Sequence, residues 1–497
     1  MKHYLIVLSF TTICMLASCK KQEVFITVAF PEQSEIDTII HTVPISGTIF
    51  PLFADTLKVS EKGNFELKLN IKQPSFITIR DKSYSYRVKL LIEPGNNYYV
   101  SFGTQNNAQI TGVNEKGQML LTNLPDPSFI EQDLSRIGIN IFNISDTISL
   151  SYIHNKINEL KQSDLSKLKE LLDDKDLSKS YFDLMQKDRD CYYASLEARF
   201  SILKASRQFE SGMKIEDDLL ENLKNIYDQY SPNDENLLLS SSWPEYARFY
   251  METYSQYIRE DFDIHTMRNL GKAGFNTYII TESKKYFSGK ALEFFLAQYI
   301  GYTCFYAVSQ SSFEKELISS FKQFERDYPQ SEFLKYLKPD IEKIINYHRI
   351  IEQPFNHAIL IMDNYETINT LEEAIKPLLG KKIYIDVWGT WCNPCIREFV
   401  HNEALKKYLV ENDIQQLYIA VSDNDDLKWR NAIKYYHLTG THIRANLELF
   451  RDLENRYSKN EDRTYIAVPW YILVDEKGNI IDERAKSPSQ IAAGEKL

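Results

Sequence analysis

The chain has 497 residues, 13% of them aromatic, and carries 58 basic against 69 acidic side chains, a formal net charge of −11. That length is too great for a single hydrophobic core and predicts several domains. The acidic balance excludes nucleic acid as an expected partner, because a phosphate backbone is held by basic surfaces.

Residues 1–18 begin with Lys2, continue as a largely apolar run over residues 4–16, and end in small residues. This is the length and layout of a secretory signal, and it is too short to span a bilayer as a permanent helix. Leu16-Ala17-Ser18-Cys19 resembles a bacterial lipobox. The resemblance implies cleavage before Cys19 and lipid on its sulfur, with residues 19–23 as a polar tether. An ordinary cleaved signal is the alternative, although no Ala-x-Ala site is present. No other stretch reaches 18 consecutive apolar residues, so the remainder is expected to lie against a membrane rather than in it. The implied location is a bacterial cell envelope, on the periplasmic side. Lys20, where an aspartate would favour retention, points by lipoprotein habit to the outer membrane.

Residues 24–122 alternate apolar and polar positions between turn signals. Leu57 and Val59, then Phe65, Leu67, Leu69 and Ile71, flank Glu61-Lys62-Gly63-Asn64, a hairpin pattern. Residues 88–92 and 98–102 flank Glu93-Pro94-Gly95-Asn96 in the same way. An antiparallel β-sandwich is expected. The Ile-Glu-Pro-Gly run resembles the β-rich domain that precedes thioredoxin domains in envelope lipoproteins of the Bacteroides group.

Residues 125–352 read as an all-α region. Tyr246, Phe249, Tyr250, Thr253, Tyr254, Tyr257 and Ile258 fall on one helical face, a stripe expected to be core rather than a cofactor box. Phe294, Phe295, Tyr299 and Ile300 continue the pattern, while the charged run over residues 161–179 reads as a solvated face. Cys191 and Cys304 sit in apolar surroundings and are expected to be small buried hydrophobes, with a bridge between them as the other option.

Residues 355–497 carry the chemistry. Residues 381–388 read as a buried strand, a helix starts after Cys395, and between them lies Trp388-Gly-Thr-Trp-Cys-Asn-Pro-Cys395. Cys392 is thus expected at a strand-to-helix junction, where unpaired amides and the positive helix end stabilise a thiolate. Pro394 fits a first-turn position, where its missing N–H costs nothing. Cys392 then acts as nucleophile and Cys395 as its resolving partner. The same spacing opens many zinc motifs, but no second cysteine pair follows, and His401, His437 and His442 are not at finger spacing. No metal is expected. Asp386 stands in an apolar strand six residues before Cys392, where burial would raise its pKa into the range useful for proton exchange with a thiol. Glu398 lies three residues after Cys395, and its plain alternative is a first-turn glutamate that favours its own helix dipole. Downstream, a strand over residues 416–421, helices over 425–437 and 447–457, and a turn at Glu476-Lys-Gly-Asn479 predict a sheet covered on both faces.

With Ala467-Val-Pro-Trp-Tyr-Ile-Leu-Val-Asp-Glu-Lys-Gly-Asn-Ile480 some 75 residues after the dithiol, this segment resembles thioredoxin-like domains of the TlpA/ResA kind. The resemblance covers residues 355–497 and implies a C-terminal α/β thioredoxin-like fold in a multidomain chain. It implies that Pro469 is cis and that Val468 pairs with an extended substrate peptide beside Trp391. It implies that Asp386 matches the thioredoxin aspartate and Glu398 the acid of the ResA branch. The expected activity is thiol–disulfide exchange on a disulfide-containing protein substrate, with electrons from an upstream thiol donor in the membrane and no cofactor beyond the Cys392–Cys395 pair. The rival reading is a noncatalytic envelope lipoprotein that uses the fold for docking. Gly-rich phosphate loops, His-Glu-x-x-His and Gly-x-Ser-x-Gly do not occur, so nucleotide, zinc-protease and serine-hydrolase chemistry lack a starting residue.

Overall fold

The computed structural model describes residues 22–497 except 32–33, 61–63, 104–106, 126–133, 135–147, 255–269, 423–424 and 458–466. Residues 1–21, with the expected signal and Cys19, lie outside the described residues. No helix among the described residues is long and apolar enough to cross a membrane.

The chain divides into two compact units: Met1–Gly301 with Gln323–Tyr336, and Tyr302–Lys322 with Leu337–Leu497. The helical stretch is therefore shared between them. The first unit opens with β1 (Glu23–Ala29), β2 (Thr38–Thr42), β3 (Ala54–Lys58), β4 (Phe65–Asn70), β5 (Ser75–Asp81), β6 (Arg87–Ile92), β7 (Asn97–Phe102) and β8 (Ala108–Gly112). They form two four-stranded sheets, ordered β4-β1-β7-β8 and β3-β2-β5-β6. Alternate side chains, such as Val24, Ile26 and Val28 of β1 and Val88, Leu90 and Ile92 of β6, enter one shared core.

Neither expected hairpin forms. β3 pairs with β2 and β4 with β1, so these neighbours in sequence belong to different sheets; Glu61, Lys62 and Gly63 of the expected turn lie outside the described residues. β6 pairs with β5, while β7 pairs with β1 and β8. A turn sequence fixes a reversal of the chain, but burial of each strand's apolar face decides which edge it joins. Nor are the sheets purely antiparallel: β1 and β7 run parallel, with Ile26 opposite Tyr98 and Val28 opposite Val100. The five strands between them supply the long crossover a parallel pair needs.

Helices follow: α1 (Glu115–Asn123), α2 (Leu150–Asp173), α3 (Lys179–Glu210), α4 (Asp217–Gln229), α5 (Trp243–Phe249), α6 (Gly271–Tyr286), α7 (Gly289–Ser309), α8 (Glu316–Asp327) and α9 (Leu334–Ile351). Ser178 starts α3, its hydroxyl accepting from the Tyr181 amide at 3.1 Å. Glu93, from the turn after β6, accepts from Ser178 Oγ at 2.9 Å, from Ser180 Oγ, and from Asn114 Nδ2 at 2.6 Å. This turn residue thus anchors a helix start. Tyr246 and Phe249 are buried as expected, but the backbone becomes π-helical over Tyr250–Tyr254, which ends the 3.6-residue stripe; Tyr257 and Ile258 lie outside the described residues. Cys191 and Cys304 are free and buried, and burial pushes both thiols up, away from reactivity.

The second unit adds β9 (Ile359–Ile361), α10 (Leu371–Ile375), β10 (Lys382–Trp388), α11 (Asn393–Glu398), α12 (Asn402–Glu411), β11 (Ile414–Ala420), α13 (Asp426–Tyr435), β12 (Gly440–Arg444), α14 (Leu447–Tyr457), β13 (Trp470–Val474), β14 (Ile480–Asp482) and α15 (Pro488–Ala492). Its six strands run β14-β13-β10-β11-β12-β9. β10 is central, parallel to β11 and antiparallel to β13. Ile383, Ile385 and Val387 feed the core on one face. On the other, Tyr384 joins Leu405 and Leu409 of α12 and Ile491 of α15. Earlier chain completes this unit: Phe313 stacks on Tyr347 at 4.2 Å and meets Tyr435 at the end of α13 edge-on at 4.9 Å. The closing helix α15 has only five residues, capped by a Ser487–Gln490 capping box.

Candidate active site

β10 delivers the chain to Trp388, buried in the core, and the dithiol follows at once. Gly389 is required here for close approach, because a Cβ on it would meet Trp391 Nε1 at 2.6 Å. Trp391 lies back along the loop, donates from Nε1 to the Val421 carbonyl at 3.2 Å, and remains 52% exposed. Its outward ring offers an apolar surface beside the sulfurs.

Cys392 and Cys395 are joined as a disulfide, with 2.10 Å between the sulfurs and 5.3 Å between their Cα atoms. Cys392 caps α11, its Sγ accepting from the Cys395 amide at 3.2 Å, and Pro394 occupies the first turn. Once the bond is reduced, that same amide faces a thiolate. The helical path does not stop at α11; a 3-10 turn over Phe399–His401 leads directly into α12. Both cysteines are nearly sealed from water, Cys392 at 3% exposure and Cys395 at 1%.

The Val468–Pro469 peptide is cis, the isomer the family resemblance implied. The Val468 carbonyl oxygen lies 3.6 Å from Cys392 Sγ. In the disulfide that sulfur carries no proton, so this is a close approach rather than a hydrogen bond. Val468 and Pro469 are both part-exposed.

Asp386 is 1% exposed, and neither carboxylate oxygen has a hydrogen-bond partner. It faces Tyr418 across β11 and Tyr471 across β13, with Tyr384 two residues earlier on the same face. Burial, reinforced by the nearby charge of Glu398, pushes its pKa up to about 8. The same burial raises all three tyrosines, so they remain neutral around it.

Glu398 ends α11 instead of sitting in its first turn, so the reading that it favours its own helix dipole does not apply. Its carboxylate accepts from the Ser489 amide at 2.9 Å and from the Ser489 hydroxyl at 3.0 Å, at the start of α15. The two acids, one on the strand before the dithiol and one at the end of the helix that carries it, thus differ: Asp386 is buried and unbonded, Glu398 part-exposed and bonded. Ser489 and the three tyrosines had no distinguishing mark in the sequence. Their importance comes from register and from a contact between segments 91 residues apart. Among the described residues no His, Cys, Asp and Glu cluster is arranged to hold a metal.

Residues 371–493 match the family described as Redoxin. The thiol-disulfide oxidoreductase ResA of Bacillus thuringiensis subsp. konkukian is 27% identical over 110 residues, 22% of this chain and 57% of that protein. The thioredoxin-like protein YneN of Bacillus subtilis is 25% identical over 118 residues, 24% of this chain and 64% of that protein. A thioredoxin-like protein from Bacteroides caccae is 14% identical with a TM-score of 0.18, covering 56% of this chain and 92% of that one. The chain spans little more than half the length of the first curated relatives.

Proposed function

We propose that this chain, whose C-terminal domain is a TlpA/ResA-like thioredoxin fold, is an envelope thiol–disulfide oxidoreductase that reduces protein disulfides. The observation that carries this reading is the Cys392–Cys395 disulfide at the start of α11, next to the exposed Trp391 and the Val468 carbonyl. A buried structural bridge needs none of those neighbours.

The reaction follows from the geometry. In the reduced protein Cys392, supported by the Cys395 amide and the helix start, is a thiolate. It attacks one sulfur of a substrate disulfide; that bond breaks, the first substrate thiolate leaves, and a mixed disulfide forms. Cys395, sealed from water, must lose its proton to become the second nucleophile, and Asp386 is the unbonded carboxylate available to take it. The Cys395 thiolate attacks Cys392 Sγ and releases the second substrate thiolate. The substrate has gained two electrons, and the protein holds the Cys392–Cys395 bond seen here. A membrane dithiol upstream must return those electrons. The Val468 backbone and Trp391 provide one edge for an extended substrate peptide.

Cys19 is the proposed lipid anchor, on the sequence of residues 16–19 alone, and Lys20 after it supports a location facing the periplasm at the outer membrane. The paired β-sheets are read as a β-sandwich of residues 24–122, ahead of a helical region 125–352 and the thioredoxin-like domain 355–497.

Insulin reduction by the chain lacking residues 1–19, compared with Cys392→Ser, tests the activity. Turnover should fall to background in the variant, and equal turnover would refute it. In cells, Cys395→Ala should leave Cys392 in mixed disulfides that can be isolated; recovering none under oxidising conditions contradicts the attack sequence.

A further inference from the structure

Glu398 ends the helix that carries the dithiol and Asp386 lies on the strand before it, yet their surroundings differ in kind. Asp386 has two oxygens with no donor at all. Glu398 has each oxygen engaged by Ser489, one by its amide at 2.9 Å and the other by its hydroxyl at 3.0 Å. A carboxylate that accepts from two donors on a second helix is held in one place. A carboxylate with no donors is free to accept a proton.

We propose that Ser489 is a positioning residue for disulfide exchange: it pins the Glu398 carboxylate in one place at the end of α11, which leaves the unbonded Asp386 to carry the proton. This deepens the oxidoreductase reading and rests on it. The groups around Asp386 support the division of roles. Tyr384, Tyr418 and Tyr471 face it from β10, β11 and β13 and stay neutral. From α12 the core residues are Leu405 and Leu409, with Tyr408 beside them, while Glu403, Lys406, Lys407 and Glu411 point to solvent. α15 has no charged residue. The nearby charge of Glu398 raises Asp386 further, second to burial. Moving that charge must therefore move the acidity of Asp386, although Ser489 touches neither Asp386 nor the sulfurs.

Infrared titration of the oxidised full chain reads this without any exchange reaction. The protonated carboxyl stretch of Asp386 is identified by its loss in Asp386→Asn and followed against pH. Glu398→Gln should lower the Asp386 midpoint by about one pH unit, as expected for removing a nearby like charge. Ser489→Ala, which lets the part-exposed Glu398 relax toward water, should lower it by about half as much, and Ser489→Thr should restore it. In the reduced protein the same variants should displace the pH profile of kcat for insulin reduction while KM stays put. An unmoved midpoint in Ser489→Ala, failure of Ser489→Thr to restore it, or a second carboxyl titrating in step with Asp386 would overturn the inference. None of these outcomes bears on whether Cys392→Ser abolishes turnover, so failure of the clamp and failure of the oxidoreductase reading are separable.

Discussion

At the scale of single residues, the site works by withholding partners. Asp386 sits on a central strand with no donor to either oxygen, and burial raises its pKa to about 8. In the unfolded chain the same group ionises near its ordinary value of 3.8. Between those values the folded state holds a proton that the unfolded state has released, so stability declines as pH rises. The favourable contribution is complete below pH 4 and lost as pH climbs through about 8. Asp386→Asn should therefore melt with wild type in acid and above it at pH 8, by on the order of 3 kcal/mol. Thermal melts at the two pH values check this, and a constant difference between the proteins would contradict it. The same variant should slow release of substrate from the mixed disulfide by about a hundredfold, in line with loss of a general base. Asp386, Cys392 and Cys395 were legible in the sequence because an acid in an apolar strand and a Trp-Cys-x-Pro-Cys run are each chemically out of place. Ser489 was not, since nothing in a short C-terminal stretch reveals which carboxylate it will meet.

At the scale of elements, local patterns predicted which segments become strands and helices better than they predicted pairing. β10, α13 and α14 appear within a residue or two of where apolar spacing put them. The two turn sequences of the β-rich region lie between strands of different sheets, because burial of alternate faces outranks turn chemistry. Glu93 illustrates the consequence: a turn residue there accepts hydrogen bonds from Asn114, Ser178 and Ser180 and fixes the start of α3. Glu93→Ala leaves those donors without their carboxylate and should cost about 2 kcal/mol of unfolding free energy, measured by urea titration of the first unit's signal. A change within about 0.5 kcal/mol would mean that water replaces the carboxylate at no cost.

At the scale of the molecule, the thioredoxin-like domain does not end where its family resemblance begins. Phe313 and Tyr347 lie before residue 355, yet they pack on Tyr435 in the same compact unit. Tyr436 bonds Ser311 at 3.0 Å and touches Phe399, which packs on Trp388 ahead of the dithiol. No composition shift marks this extension, so a boundary read from motifs alone falls inside the packing. A fragment starting at residue 355 should thus be less stable than one starting at 302, by about 3 kcal/mol for the lost aromatic contacts. Equal urea midpoints would show that the added helices contribute nothing. The proposed chemistry centres on one sulfur at the head of α11. Its ionisation is read most directly by the rate at which iodoacetamide alkylates Cys392 in the reduced chain as pH is varied, followed by mass spectrometry. The expected midpoint is about pH 7 or lower, as for dithiols activated at a helix start. A midpoint near about 8.5, that of cysteine free in solution, would contradict the proposed chemistry.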